Sequence, residues 1–230
     1  MAQEGIMRIE AVVIIMPFLM LTSLLLAGMG CGQKEPLADA TYRVDFNSTW
    51  SATTHPDDFP DRPHFSGLIG VTHNSSVNIW QTGQLASPGI KKMAETGGKD
   101  PLNTEIDQLI AGGNAGVKMS GGGIGTSPGT VSLNFTVSSD YPLVSLVSMI
   151  APSPDWFVGV SSLDLREDGV WIDSITIDLY PYDAGTDSGT IYSSANSVTN
   201  PAQVMYRIAG DPFLHNQTVA RLGTFTFTRL

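Results

Sequence analysis

The sequence predicts an all-β fold, an antiparallel β-sandwich of about eight strands with one or two short inserted helices. Segments of alternating apolar and polar residues recur along the chain, separated by Gly, Pro, Asn and Asp. No regular strand–helix alternation is present that would build a parallel sheet. A hydrophobic content of 42% in 230 residues is enough for one sizeable core.

The first element is an export segment. Residues 11–28, AVVIIMPFLMLTSLLLAG, form a nearly unbroken apolar run behind a stretch whose only basic residue is Arg8. Such a run is near the lower limit for a membrane span and long for the apolar part of a signal peptide. Cys31, the only cysteine, stands where the run ends, in LLLAGMGCGQKEP. This arrangement resembles the signal of bacterial lipoproteins, in which a cysteine after a small residue is lipidated and becomes the mature N-terminus. Gly30 suits the position before the cysteine, whereas Gly28 stands where leucine is usual, and Glu4 and Glu10 dilute the basic start. The expected organisation is a signal segment over 1–31 with Cys31 as lipidation site, a polar tether over 32–38, and a single domain over 39–230 outside the cytoplasm. An uncleaved N-terminal anchor is the alternative. With one cysteine no internal disulfide can form, so packing, or packing and a bound ion, must hold the domain.

The domain opens on ATYRVDFNSTW, where Tyr42, Val44 and Phe46 alternate with Arg43, Asp45 and Asn47, the period of a half-buried strand. Further on, Val131, Leu133, Phe135 and Val137 share one face. Trp171, Ile175, Ile177 and Leu179 share another, and Phe225 and Phe227 close the series. The runs YPLVSLVSMI and DWFVGVSSL are short, continuously apolar and rich in β-branched residues, which predicts strands buried on both faces. Helix is expected only in the middle. SPGIKKMAETGG carries a Ser87–Pro88 start and ends at Gly97; PLNTEIDQLIAGG sets Leu102, Ile106, Leu109 and Ile110 at helical spacing and ends at Gly112. The glycine-rich MSGGGIGTSPGT is expected to be a long flexible loop leading into the Val131 strand.

A formal charge of −10 with only 12 Lys and Arg excludes a nucleic-acid partner, which needs clustered cations. The acidic balance suits divalent cations. Matches to N-x-S/T at Asn47, Asn74, Asn134 and Asn216 bear on function only in a eukaryotic secretory route.

Two constellations resemble catalytic ones. GTSPG over 125–129 fits the G-x-S-x-G pattern, but the following TVSLNFTV is strand-like, so Ser127 lacks the strand-to-helix turn that exposes a nucleophile. His55, His64, His73 and His215 show no i, i+2 or i, i+4 pair of the kind zinc sites use; a site assembled in space from His55, His64 and His73 is the remaining zinc reading. Carboxylates are more telling. YPYDAGTDSG places Asp183 and Asp187 in a loop that Gly185 and Gly189 allow to turn tightly, and APSPDWFVGV adds Asp155 at the start of a strand. Calcium takes six to eight oxygens, and loops at one end of a sandwich can supply them from several strands. The loop is not an EF-hand, since the positions after Asp183 hold Ser188 and Ser194 where that motif needs Gly and Glu. Ordinary acidic turns are the other reading of these aspartates. Asp164, Asp168, Asp173 and Asp178 are read as solvated strand or turn residues.

At these residues the chain resembles the spondin N-terminal domain family, found in F-spondin and mindin. SPDWFVGVSSLDL followed by LYPYDAGTDSGTIY looks like the family's central signature, with YRVDFNSTW, PHFSGLIGVTHN and IWQTGQLASPGIKKMAETG as upstream blocks, together covering about residues 40 to 229. The resemblance implies a β-sandwich binding Ca2+ at one end through Asp155, Asp183 and Asp187, with backbone oxygens near Tyr182 completing the shell. It also implies a non-catalytic role in extracellular adhesion. Many animal members carry cysteines after the SPDW strand, where DLREDGVW has none. The expected function is therefore an exported, lipid-anchored, calcium-binding adhesion module of the cell envelope, on the outer membrane or cell surface, with an envelope or extracellular protein or glycan as partner. A metal-assisted hydrolase using the same acidic end is the rival.

Overall fold

The structure is a computed structural model and describes residues 37–230. The signal segment and Cys31 lie outside the described residues, as does the tether up to 36. Of the tether's last residues, Leu37 packs against the core and the Ala38 carbonyl accepts from Trp171 Nε1 at 2.7 Å, so the fold begins slightly before residue 39.

In chain order the main elements are β1 (Ala40–Ser48), β2 (Ile69–His73), α1 (Pro88–Thr96), α2 (Leu102–Ala111), β3 (Ala115–Ser120), β4 (Gly129–Val137), β5 (Leu143–Ala151), β6 (Trp156–Asp164), β7 (Ser174–Leu179), β8 (Tyr182–Asp183), β9 (Tyr206–Arg207) and β10 (Gly223–Arg229). Eight of these strands have five residues or more, as expected. They form two antiparallel sheets, one ordered β7-β10-β1-β4 and the other β9-β8-β6-β5-β2-β3, with His64–Phe65 pairing along β5.

The alternating strands are those that face a neighbour on one side only. Tyr42, Val44 and Phe46 of β1 meet Phe225 and Phe227 of β10 in the core between the sheets, where Phe46 packs edge-on to Phe65 and Phe225. Strand β5 is buried almost throughout because its outer face is covered too. Val147 and Met149 point into a second core shared with Ile90 and Met93 of α1 and Leu102 and Ile106 of α2. The molecule is thus a sandwich with two helices on the outside of the larger sheet. Helix α1 starts on Ser87, whose side chain accepts from Ile90 N, and stops at left-handed Gly97. Glu105 of α2 also accepts from Gly89 N at 2.7 Å and Ser87 Oγ at 2.6 Å, so the second helix caps the first.

Two expectations are corrected. Trp171 is not part of β7; it closes a two-residue hairpin, Arg166–Glu167 with Val170–Trp171, around an Asp168–Gly169 turn in which both residues have positive φ. The glycine-rich segment is not a free loop. Ile124 exchanges backbone hydrogen bonds with Phe65, and Gly121 N donates to Leu68 O. A Cβ on Gly123 would come within 2.4 Å of the Phe65 carbonyl, so glycine there serves close approach and not mobility.

The sandwich has two distinguishable ends. Residues 38–40 enter at the end marked by Trp171 and by the Leu165 and Ile172 carbonyls that accept from Tyr42 OH. Strand β1 then runs its nine residues, roughly 30 Å, to the end where Trp50 packs on Phe65 and Tyr192. The acidic loops lie there.

Candidate metal centre

Strand β8 is the element that brings distant carboxylates together. It pairs antiparallel with β6, Asp183 opposite Trp156 and Tyr182 opposite Phe157, so Asp183 lies beside the residue that follows Asp155. Ala184 N donates to the Asp155 carbonyl at 3.2 Å. Gly185 then takes φ of 73°, and a Cβ there would lie 2.2 Å from the Gln203 carbonyl, so only glycine makes this turn. The chain curls back over Asp155. Its Oδ2 accepts from Thr186 N at 2.7 Å, Asp187 N at 3.0 Å and Thr186 Oγ1 at 3.2 Å.

The other two aspartates organise the same loop. Asp183 accepts from Gly185 N at 2.7 Å and from Tyr206 OH at 3.2 Å. Asp187 uses both oxygens, Oδ1 for Gly189 N at 2.8 Å and Oδ2 for Ser197 N at 2.9 Å, and thereby cinches the base of the 188–197 loop. The tip of that loop inserts Tyr192 among Trp50, Trp156 and Phe213.

All three carboxylates are buried, and among the described residues none forms an ion pair with a basic side chain. Asp155 is fully buried, and its Oδ1 has no hydrogen-bond partner. Burial first, and then the charge of Asp183, push its carboxyl up to about 6, against the pull of the bonds from Thr186 and Asp187. Burial also raises Asp183, with the charge of Asp187 adding to it, while bonds from Gly185 and Tyr206 pull the other way. Tyr206 is pushed up to about 12 by burial and by the Asp183 charge.

Among the described residues no three His, Cys, Asp or Glu side chains are preassembled as a metal cage. The three aspartates are joined through the amides of the loop and not by direct convergence. Their donor chemistry nonetheless fits a hard divalent cation. A buried carboxylate oxygen, Asp155 Oδ1, lacks any partner, negative charge is concentrated with no basic side chain among the described residues to offset it, and the Asp183 and Asp187 oxygens, with one hydrogen bond each, keep a second lone pair for a ligand role. The Asx turns at Asp183 and Asp187 belong to the same arrangement, so the acidic-turn reading and the ion reading describe one loop.

The catalytic constellations are placed differently. Ser127 is buried, with Oγ 2.6 Å from Ser48 Oγ and donating to the Trp50 carbonyl at 2.7 Å. His55 is buried between Thr54 Oγ1 and the Ala220 carbonyl. His73 Nδ1 faces the Asn74 carbonyl at 2.8 Å, which leaves Nε2 to accept from Ser145 Oγ at 2.9 Å. Ser145 Oγ in turn accepts from Ser162 N at 2.9 Å. This Ser–His pair, absent from the sequence reading, has the spacing of a catalytic dyad. Both residues are fully buried, and burial lowers the His73 pKa. The pair secures the irregularity where β5 and β6 slip register and Ser162 adopts φ of 54°. His64 is half-buried, its Nδ1 2.8 Å from the Arg62 carbonyl, and lines an open cavity that none of the three aspartates lines.

Around the acidic end the surface is unusually apolar. Leu85, Ile191, Val198, Val204 and Tyr206 are all exposed, and they are tied to the loop by the Leu85–Val204 and Asp187–Val198 bridges and the Asp183–Tyr206 pair.

The family model described as Spondin_N matches residues 40–219. Spondin-2 of Rattus norvegicus is 36% identical over 210 residues, covering 83% of this chain and 62% of the relative, and Spondin-2 of Homo sapiens is 37% identical over 211 residues, covering 85% and 62%. Spondin-1 of Gallus gallus is 39% identical over 170 residues, covering 71% of this chain and 21% of the relative. The chain therefore spans under two thirds of the Spondin-2 relatives and about a fifth of Spondin-1.

Proposed function

The chain belongs to the spondin N-terminal (Spondin_N) family, and from that premise we propose that it is an exported calcium-binding module, lipid-anchored at Cys31, that docks a partner on its acidic end and performs no chemistry. One observation supports this most strongly: three buried carboxylates, without a basic partner among the described residues, underlie the same loops on which exposed apolar side chains gather. Ca2+ neutralises Asp155, Asp183 and Asp187, fills the place beside Asp155 Oδ1, and stiffens the 184–198 loop so that its apolar side chains hold one arrangement.

The polarity of the sandwich suits this role. The described chain enters the fold beside Trp171, at the far end of β1 from the acidic loops. The partner is an envelope or extracellular protein or glycan, in line with the adhesive role that the family resemblance implies. The hydrolase reading has less support: Ser127, His55 and His73 are buried in structural hydrogen bonds, and among the described residues no base stands beside the aspartates with an open position.

The test is thermal unfolding of the purified protein in calcium and in chelator. Calcium raises the melting temperature of the wild type and leaves that of Asp183→Ala unchanged. A wild-type melt indifferent to chelator would overturn the metal reading.

A further inference from the structure

We propose that β7 is an open sheet edge on which a second copy of this chain pairs strand to strand, antiparallel about a two-fold axis through Thr176, so that the β7-β10-β1-β4 sheet continues into its counterpart. Strand β7 pairs with β10 alone. Asp173 O accepts from Arg229 N and Leu179 O from Leu222 N, so the odd-numbered residues turn their backbone groups toward β10. By the alternation of a strand, the N–H and C=O of Ser174, Thr176 and Asp178 point outward. Among the described residues these groups have no hydrogen-bond partner, and all three residues are exposed.

Sheet edges are normally guarded. Here β9 is covered by the segment around Gly83, through Gly83 N to Met205 O and Met205 N to Gln84 O, both at 2.8 Å. Strand β3 carries Lys118, paired with Asp107 of α2 at 2.7 Å, and β4 is flanked at Val131 and Leu133 by the glycines that follow β3. The β7 sequence SITIDL has no lysine or proline, and its register with β10 is unbroken from Ser174 to Leu179.

The occupant that fits this edge is the chain itself. In a protein of formal charge −10, two acidic edges would repel. The carboxylates at both ends of β7 are instead neutralised locally, Asp173 Oδ1 lying 2.6 Å from the Arg229 guanidinium and Asp178 Oδ1 2.7 Å from that of Arg221. A two-fold axis at Thr176 sets Ser174 opposite Asp178 of the second copy, so hydroxyl meets carboxylate and no two carboxylates oppose each other. Ile175 falls opposite Ile177 on the inner face, where both are only half-buried. Thr176 meets its own counterpart, which repeats the contact β7 already makes with β10, Thr176 Oγ1 to Thr226 Oγ1 at 3.0 Å. In this register every outward N–H and C=O of the three residues finds a partner. A strand of 6 residues buries less than a permanent interface does, so the dimer is weak and concentration-dependent.

Sedimentation velocity of the full chain in a nonionic detergent, over a wide range of protein concentration, tests this. The wild type should pass from monomer to dimer as concentration rises. Thr176→Pro removes an outward N–H at a position where an edge strand tolerates proline, and should weaken the association roughly tenfold or more. Cysteine cross-linking gives a readout that does not depend on that variant folding. Paired about the two-fold axis, the Thr176 Cα atoms lie about 5.5 Å apart, within disulfide range. Cys31→Ser/Thr176→Cys should therefore form a disulfide-linked dimer on mild oxidation, whereas Cys31→Ser/Asn134→Cys, likewise exposed but on β4, should not. A wild type monomeric at every concentration, a dimer that Thr176→Pro leaves unchanged, or equal cross-linking at the two positions would overturn the proposal.

Discussion

Replacing Asp155 by asparagine is expected to stabilise the ion-free protein at neutral pH and to abolish its response to calcium. The folded-state carboxyl sits at about 6 against an ordinary 3.8. Below pH 4 the group is protonated in both states and costs nothing. As pH rises from about 4 to about 6 the unfolded chain releases this proton first, so stability falls, and above 6 the full penalty applies. At about 1.4 kcal/mol for each pH unit of that interval, the penalty is about 3 kcal/mol. Asparagine retains an oxygen for the Thr186 and Asp187 amides and replaces the partnerless Oδ1 with a neutral group. For a domain of this size, 3 kcal/mol corresponds to a rise in melting temperature of about 6–12 °C. Calcium at a hundredfold over its Kd contributes about 2.7 kcal/mol to the wild type. The wild type in calcium and Asp155→Asn in chelator should therefore melt at similar temperatures at pH 7.5. Scanning calorimetry between pH 4.5 and 7.5, in chelator and in calcium, reads all of this. In chelator the wild type should gain stability on acidification from 7.5 to 4.5, while Asp155→Asn lacks that gain. A variant less stable than the wild type in chelator would show that the charged hydrogen bonds outweigh burial, and would refute the reasoning.

Three further outcomes are expected. Ser145→Ala should cost about 2–4 kcal/mol in denaturant unfolding, because the buried His73 Nε2 and the Ser162 amide both lose their partner, while Ser162→Gly should be neutral or stabilising by up to about 1 kcal/mol by relieving φ of 54°; a neutral Ser145→Ala would mean that the network does not secure the bulge. Radioactive palmitate should label the full-length protein and not Cys31→Ser, and absence of label from both would exclude the lipid anchor.

Much of the architecture was legible because burial on one face writes itself into the sequence with period 2. Tyr42, Val44 and Phe46, or Phe225 and Phe227, are readable one strand at a time. The doubly buried β5 and β6 were also readable from their continuous apolar runs, although what covers their outer face was not, since the helices' packing is a long-range contact. Trp171 was misplaced because its spacing fits the following strand; the Asp168–Gly169 pair was the local signal that a hairpin ends before β7. The glycine-rich segment was misread because composition does not separate a mobile glycine from one admitting a carbonyl at contact distance. The Ser145–His73 pair was invisible, as its members are 72 residues apart and meet only through the β2–β5 ladder.

The three aspartates share a sequence neighbourhood but not a task. Asp187 spends both oxygens on backbone amides at the base of the 188–197 loop, so its removal costs loop geometry whether or not an ion is present. Asp155 is the reverse: one oxygen organises the loop and the other faces nothing, in a site where burial and Asp183 oppose its charge. Asp183 links the two, holding the Gly185 turn and the exposed Tyr206 with the same carboxylate. The proposed cation would act most strongly on Asp155 and Asp183, and its effect would reach the apolar surface through Tyr206 and the loop that Asp187 closes. Under the proposed function, these hydrogen bonds are the route by which calcium would act on a partner, and the expected outcome is a change of partner affinity through the order of residues 184–206 and not through contact with the ion itself.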